Sequence, residues 1–342
     1  MPRKRSDKRL SLRQIERIRT ARSVRVARVG VEGEDLWGAG GVGEPGLEEE
    51  GRVVAHFGLN IEVEDEAGER FRCAVREALL DEPVCGDRVV WRRVGENQGV
   101  IVAVHGRHSV LRRPGPYQRL LTVAANVDRI VVVAAGGNLN TGLVDRYLAA
   151  ARKADIEAML VVNKIDRVED ASAEQEAMAP YGRMGYASFR VSALSGQGLA
   201  PLEQALAGLT SVFVGESGVG KSSLVNCWIQ DETMRTAEVH ALTDQGRHAT
   251  TTARLYRLPA GGWLIDSPGV REFGLHGVTR EEVPGLFVDM LPHLGRCRFT
   301  DCRHQREPGC ALRAAVDSGA IAATRLASML RIMESVAPKN PY

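Results

Sequence analysis

No stretch of the 342 residues is apolar for long enough to cross a bilayer, and no secretory leader is recognisable at the start. A membrane-spanning or disulfide-stapled secreted protein is therefore not expected. No sustained heptad repeat is present either, so a coiled-coil oligomer is not expected and a monomer is the default. Net charge is also lacking: 45 Lys and Arg against 43 Asp and Glu leave +2. A charged partner would have to be met by a local surface rather than by the field of the whole molecule.

The charge is distributed unevenly. Residues 1–28 carry eleven Arg or Lys against Asp7 and Glu16, a net +9, while residues 32–50 hold seven carboxylates and six glycines. The first segment reads as an RNA-binding arm, with a plain solubility tail as the bland alternative. The second reads as a flexible acidic linker, so that residues 1–50 form no domain of their own.

A set of nucleotide-binding motifs occurs in an inverted order. The sequence Gly215, Glu216, Ser217, Gly218, Val219, Gly220, Lys221, Ser222 fits Gly-x-x-x-x-Gly-Lys-Ser, and it lies between an apolar run at 211–214 and a helical pattern at 222–228. Backbone N–H groups of residues 216–221 can turn inward around phosphates. Lys221 can reach the β- and γ-phosphates, and Ser222, followed by Ser223, can offer a hydroxyl to Mg²⁺. Downstream, Asp266 ends the apolar run of WLIDSPG, placed to hold Mg²⁺ through water, and the Gly269 backbone can touch a γ-phosphate. The threonines of GRHATTT offer a further metal ligand, Thr250 being favoured over Thr251, unless the run is merely strand-forming.

The base-reading elements precede all of this. In NKID, Asn163, Lys164 and Asp166 follow the apolar run 158–162; in VSAL, Ser192 and Ala193 follow 188–191. A carboxylate at that position can accept hydrogen bonds from guanine N1 and its exocyclic amine, a pair adenine does not offer. A GTPase whose base-reading motifs come before its phosphate loop is circularly permuted. Strands are expected at 129–135, 158–162, 188–191, 211–214, 252–258 and 262–265, with helices at 143–153, 174–181 and 199–207. The fold class is α/β, a mostly parallel sheet covered on both faces, over residues 113–280.

Two modules flank this domain. Residues 51–112 show short alternating stretches divided by Gly and Asp turns, expected to form an antiparallel barrel of the oligonucleotide-binding type. Arg70, Arg72, Arg76, Arg92 and Arg93, with Phe57, Phe71 and Trp91, would suit RNA phosphates and bases, unless the aromatics form the barrel's own core. Residues 281–342 contain Cys297, Cys302, His304 and Cys310, three of six cysteines and one of eight histidines within fourteen residues. A structural zinc follows, with no open coordination position for catalysis, and then two helices between 311 and 336 broken near Gly319. Arg296, Arg298, Arg303 and Arg306 make this knuckle basic. Cys73, Cys85 and Cys227 are expected as buried thiols.

The combination of AANVDRIVVV, DRYLAA, NKID, GESGVGKSSLVN, IDSPGVREFGL and CRFTDCRHQREPGCA resembles the RsgA family of small ribosomal subunit biogenesis GTPases over residues 50–336. The resemblance implies a bacterial cytoplasmic enzyme that hydrolyses GTP to GDP and phosphate. It further implies stimulation by the 30S subunit, action late in that subunit's maturation and contact with 16S rRNA. A binding factor that uses GTP as a clamp, with incidental turnover, remains the alternative; Asp166 argues against a more distant one, an ATP-dependent remodeller.

The residue after DSPG is Val270, whose aliphatic side chain cannot orient water as the Gln at this place in many GTPases does. The resemblance points instead to His248, although this chain has Ala249 where the family usually has Thr, which blurs the choice of metal threonine. Connectivity also suggests a signal path, since the segment after Asp266 runs almost directly into the zinc module. His248→Ala should change GTP affinity by less than roughly threefold, about 0.7 kcal/mol, yet lower single-turnover hydrolysis on saturating 30S subunits by roughly 10². An unchanged rate would remove His248 from the chemistry.

Overall fold

The computed structural model describes residues 47–57, 60–76, 79, 82–115, 120–137, 139–229, 253–266 and 274–336. His248, Thr250, Gly269 and the basic arm lie outside these residues. Among the described residues, no helix is long and apolar enough to cross a membrane.

Alternating side chains build the first module. Strands β1 (Glu48–Phe57), β2 (Asn60–Asp65), β3 (Arg70–Val75), β4 (Arg88–Gly95) and β5 (Gln98–Val104) run in the order β1-β2-β3-β5-β4, and β4 returns to pair with β1. This closes a five-stranded barrel of the expected kind, antiparallel except between β3 and β5, which pair in parallel. Its core consists of Val53, Ile61, Val63, Phe71, Cys73, Val89, Trp91 and Ile101. Phe71 and Trp91, offered by the sequence as base-stacking groups, face inward with ring centroids 4.6 Å apart, so neither can stack on RNA. The period of two that buries residues 71 and 73 leaves Arg70 and Arg72 outside. Arg76 is exposed too, while the Phe57 side chain lies outside the described set.

The last three residues of the acidic stretch differ from their reading as a linker, and residues 32–46 lie outside the described residues. Glu48, Glu49 and Glu50 begin β1, opposite Arg92, Trp91 and Val90. Arg92 donates to Glu48 at 3.1 Å, and Arg93 donates to both Glu49 and Asp65 at 2.9 Å. Arg70 likewise donates to Glu64 at 3.2 Å, so three of the five arginines assigned to RNA are engaged by acids of the chain itself.

After the barrel comes a two-stranded hairpin, β6 (Val110–Pro114) and β7 (Leu120–Ala125), which the sequence reading did not identify. The main sheet then begins. Strands β8 (Arg129–Ala135), β9 (Glu157–Asn163), β10 (Ser188–Arg190), β11 (Thr210–Gly215), β12 (Arg254–Arg257) and β13 (Trp263–Asp266) lie in the order β10-β9-β8-β11-β13-β12. All pair in parallel except β12, antiparallel to β13. The chain runs outward from β8 to β10, returns to the middle at β11, crosses to β12 on the far side, and comes back at β13 between β12 and β11. Such a reversal of strand order opens a crevice at the carboxyl ends of β8 and β11. Helices α1 (Thr141–Lys153), α2 (Ser172–Arg183), α3 (Leu199–Leu206) and α4 (Lys221–Trp228) complete the layers. Asn140 caps α1 by accepting the Leu143 N–H at 3.2 Å, and Arg152 and Lys153 complement its last turn.

The barrel and the main sheet meet where β1 pairs with β12 at Ala55 and Arg254. Around that seam Arg257 donates to Glu64 at 2.6 Å, and Arg52 and Arg257 lie 5.1 and 4.8 Å from the Trp263 ring. The C-terminal module ends in the two expected helices, α5 (Ala311–Asp317) and α6 (Ala323–Val336). Helix α6 shares one core with α1, including Val144, Leu148, Phe287, Leu326, Met329 and Ile332. Within this contact Arg325, 2 % exposed, donates to Asp145 at 2.6 Å and Asp289 at 2.7 Å, and Tyr181 donates to Asp145 at 2.7 Å. Burial alone would lower the Arg325 pKa; the two carboxylates outweigh it and raise it, so the guanidinium stays charged. Arg325→Ala would leave two carboxylates without their cation and should cost about 3–5 kcal/mol. Urea unfolding followed at the C-terminal helices checks this, an unchanged midpoint being the contrary outcome.

Candidate nucleotide site and metal centre

The phosphate loop spans the end of β11 and the start of α4. Gly220 caps α4 at φ 95°, and a Cβ there would come within 2.3 Å of the Asn163 amide nitrogen, so only glycine fits this approach. The Lys221 ammonium lies across the loop, donating to the Gly215 carbonyl at 2.9 Å and the Glu216 carbonyl at 2.7 Å. Ser222 and Ser223 are exposed in the first turn of α4, and Asp266 is exposed at the end of β13, beside β11.

The segments separated in sequence converge on Asn163. Its amide is 1 % exposed; the nitrogen donates to the Val219 carbonyl at 3.0 Å, and the oxygen accepts the Ala193 N–H at 3.1 Å. Lys164, at φ 66°, donates from its ammonium to the Gly218 carbonyl. The Ser192 hydroxyl donates to Asp166 at 2.5 Å and accepts the Ser195 N–H at 3.1 Å. Asn163, Lys164, Asp166, Ser192 and Ala193 are thereby gathered beside residues 215–223. Of the proposed nucleotide contacts, Thr250, Gly269 and His248 are the ones outside the described residues.

Next to the loop, a cavity of about 260 Å³ is lined by Val133, Ala135, Asn140, Val144, Tyr147 and Ser217 among others. The sequence reading did not single out Asn140 or Tyr147. Their spacing with Val144 places all three on one face of α1, which is the signal that was available. Burial raises the Tyr147 pKa, with the Gly215 backbone opposing the shift, so the phenol stays neutral. Cys73 and Cys85 are buried as expected; Cys227 is not, and its thiol sits on the outer face of α4, 3.1 Å from the Ser223 carbonyl and 3.5 Å from the Ala193 carbonyl.

The second centre gathers Cys297, Cys302, His304 and Cys310, whose ligand atoms all lie within 4.8 Å of one another. His304 Nδ1 is 3.6 Å from Cys297 Sγ and 3.5 Å from Cys310 Sγ. The His304 backbone takes the left-handed conformation, φ 61°, which turns the ring toward the sulfurs. Burial lowers the His304 pKa and so favours the neutral imidazole that ligates a metal. Desolvation, with the Cys297 and Cys310 sulfurs beside it, pushes the Cys302 thiol up to about 12, a penalty that a bound dication would reverse. The four side chains form a metal-binding group.

The profile of the RsgA GTPase family matches residues 104–276. A protein of Azotobacter vinelandii named small ribosomal subunit biogenesis GTPase RsgA is 47 % identical over 337 residues, 96 % of each chain. One of the same name from Pseudomonas aeruginosa strain PAO1 is 46 % identical over 333 residues, again 96 % of each. The chain belongs to the RsgA GTPase family. Two solved structures share its fold. YjeQ from Thermotoga maritima has a TM-score of 0.68 at 30 % identity, covering 85 % of this chain and 99 % of its own. YloQ, described as a circularly permuted GTPase, has 0.66 at 26 %, covering 85 % and 95 %. Membership makes this protein a GTP hydrolase, and the strand order confirms that its GTPase domain is permuted.

Cys302→Ser should remove the metal and loosen residues 297–310, while nucleotide affinity of the free protein stays within about twofold, because the main sheet keeps its own core. Elemental analysis with parallel nucleotide titration checks this; full metal occupancy in the variant would exclude Cys302 as a ligand.

Proposed function

We propose that this protein binds GTP through Asp166 and the loops around it, hydrolyses it on the small ribosomal subunit, and acts as a late assembly factor contacting 16S rRNA in the cytoplasm. The nucleotide half rests on one observation: NKID, VSAL and the phosphate loop, dispersed along the chain, are joined through the side chain of Asn163. Asp166, oriented by Ser192, offers the carboxylate acceptor that guanine requires and adenine does not satisfy. The ribosomal half rests on the names of relatives matched over nearly their whole length.

Ser222, in the first turn of the helix that follows β11, and Asp266, at the end of the adjacent parallel strand β13, both have exposed side chains, which suits shared coordination of Mg²⁺, Asp266 through water and Thr250 completing the set. When bound, the metal neutralises charge on the β- and γ-phosphates. Lys221 and the N–H groups of the loop hold the phosphates in line, and His248 positions the attacking water.

The metal centre fits zinc. Ideal tetrahedral coordination with Zn–S of about 2.3 Å and Zn–N of about 2.05 Å separates sulfur from nitrogen by about 3.6 Å, and the two distances here are 3.6 and 3.5 Å. Around it Arg296, Arg298, Arg303 and Arg306 are exposed, and Arg298 lies 5.5 Å from the ring of exposed Phe299. Two acids lie among them: Asp301 is exposed, and Glu307 is occupied in accepting the backbone N–H groups of Arg303, Gln305 and Arg306. This surface suits an RNA backbone, as do the exposed Arg72 and Arg76 on the barrel.

GTP turnover with and without purified 30S subunits, at several salt concentrations, tests the whole reading. Turnover should rise at least about tenfold with subunits and the gain should fall steeply with salt, as counterion release requires. A response to subunits that is flat at every salt concentration would overturn the ribosomal assignment.

A further inference from the structure

Glu174 is a buried acid that no nucleotide motif contains. It lies in the first turn of α2, where the helix dipole favours a negative charge, and its side chain is only 4 % exposed. Burying a carboxylate is costly unless the groups around it are fixed to receive it. Here Oε1 accepts from Arg190 Nε at 2.7 Å, and Oε2 accepts from the Gly137 N–H at 3.4 Å.

Those partners belong to the two loops that flank NKID. Arg190 ends β10, immediately before Val191, Ser192 and Ala193, and its own carbonyl packs against Gly198 on the far side of that loop. Gly137 belongs to the turn after β8. Its neighbour Gly136 donates its N–H to the Asn163 carbonyl at 2.7 Å, and a Cβ at Gly136 would meet Val168 at 2.8 Å and Glu174 Oε2 at 3.1 Å. A single carboxylate therefore braces the turn after β8, the backbone of NKID through Gly136, and the strand that delivers Ser192 to Asp166. The Gly136 N–H on the Asn163 carbonyl and the Arg190 guanidinium on Glu174, both at 2.7 Å, tie the starts of the two base-reading loops to this one carboxylate, and with them the relative placement of Asp166 and residues 192–193.

We infer that Glu174, with Arg190, is a positioning residue for guanine selection: it touches no nucleotide and acts by holding the base-reading loops in register. This rests on the reading of Asp166 as the guanine acceptor, so the test carries a separate arm for that reading.

The measurement is equilibrium affinity of the full-length protein for GTP, ITP and ATP, with thermal stability recorded in parallel. ITP lacks the exocyclic amine and reports how well the Asp166 pair is formed. Glu174→Ala should weaken GTP by about tenfold and reduce the GTP-to-ITP preference by at least about threefold, while kcat at saturating GTP stays within about twofold. Glu174→Gln, which keeps an acceptor for the Gly137 N–H, should recover part of the preference. Arg190→Gln removes the brace from its half-exposed side and should reproduce the loss if Glu174→Ala does not fold. A folded variant that melts earlier but keeps the original GTP-to-ITP ratio would show Glu174 to be structural only and overturn the inference. Asp166→Asn is the independent arm: unaltered GTP affinity there would refute the base reading itself, whereas a lost affinity with an unaltered ratio in the Glu174 and Arg190 variants would refute the positioning role alone.

Discussion

The Asn163 amide is the contact on which the nucleotide site depends. Permutation separates the two halves of a GTP site, so the base-reading loops are laid down before the phosphate loop and share no short connection with it. A primary amide has a donor and an acceptor at one end, and Asn163 uses both, one toward Val219 and one toward Ala193. An aspartate there could not donate to the Val219 carbonyl, and an alanine would leave buried polar groups unmatched, at about 1–3 kcal/mol for each. Glycine at 220 is required for the same reason, since the amide occupies the space a side chain would need.

A comparable tie holds the C-terminal module. Connectivity alone suggests that the module hangs from the segment after Asp266 and follows whatever that segment does. The structure adds a second attachment, the α1–α6 core with Arg325 between Asp145 and Asp289, almost entirely shielded from water. Displacing α6 from α1 would have to separate the buried Arg325 cation from Asp145, and the cysteines of the metal centre pack on that same core. The metal centre and the outer helix layer of the GTPase domain are thus mechanically joined, and α1 also borders the cavity beside the phosphate loop through Asn140, Val144 and Tyr147.

The nucleotide motifs, the parallel sheet and the cysteine cluster were all legible in the sequence because each leaves a local pattern. Continuous apolar runs marked β8, β9 and β11, and the knuckle spacing selected four ligands that the fold does bring together. What escaped depended on partners distant in sequence. Glu48 to Glu50 look like linker until Arg92 and Arg93 are seen opposite them. Phe71 and Trp91 could be binding or core residues until strand pairing fixes which face is inside. The hairpin at Val110–Ala125 was hidden by Pro114 and Gly115, which interrupt the alternation, and Glu174 had no signature beyond being an acid near a helix start.

The seam at Ala55 and Arg254 also bears on how the domains could be separated. In this sheet β12 would otherwise be an edge strand, presenting unpaired N–H and C=O groups to solvent and to other chains. The barrel's β1 lies against that edge, and the opposite edge, β10, is only three residues long. The barrel therefore serves as a cover against strand-to-strand aggregation as well as a module in its own right. A GTPase domain expressed without it would carry the exposed ladder of β12 together with the half-buried Trp263, and its poor solubility would follow from the missing neighbour rather than from any defect in its own core.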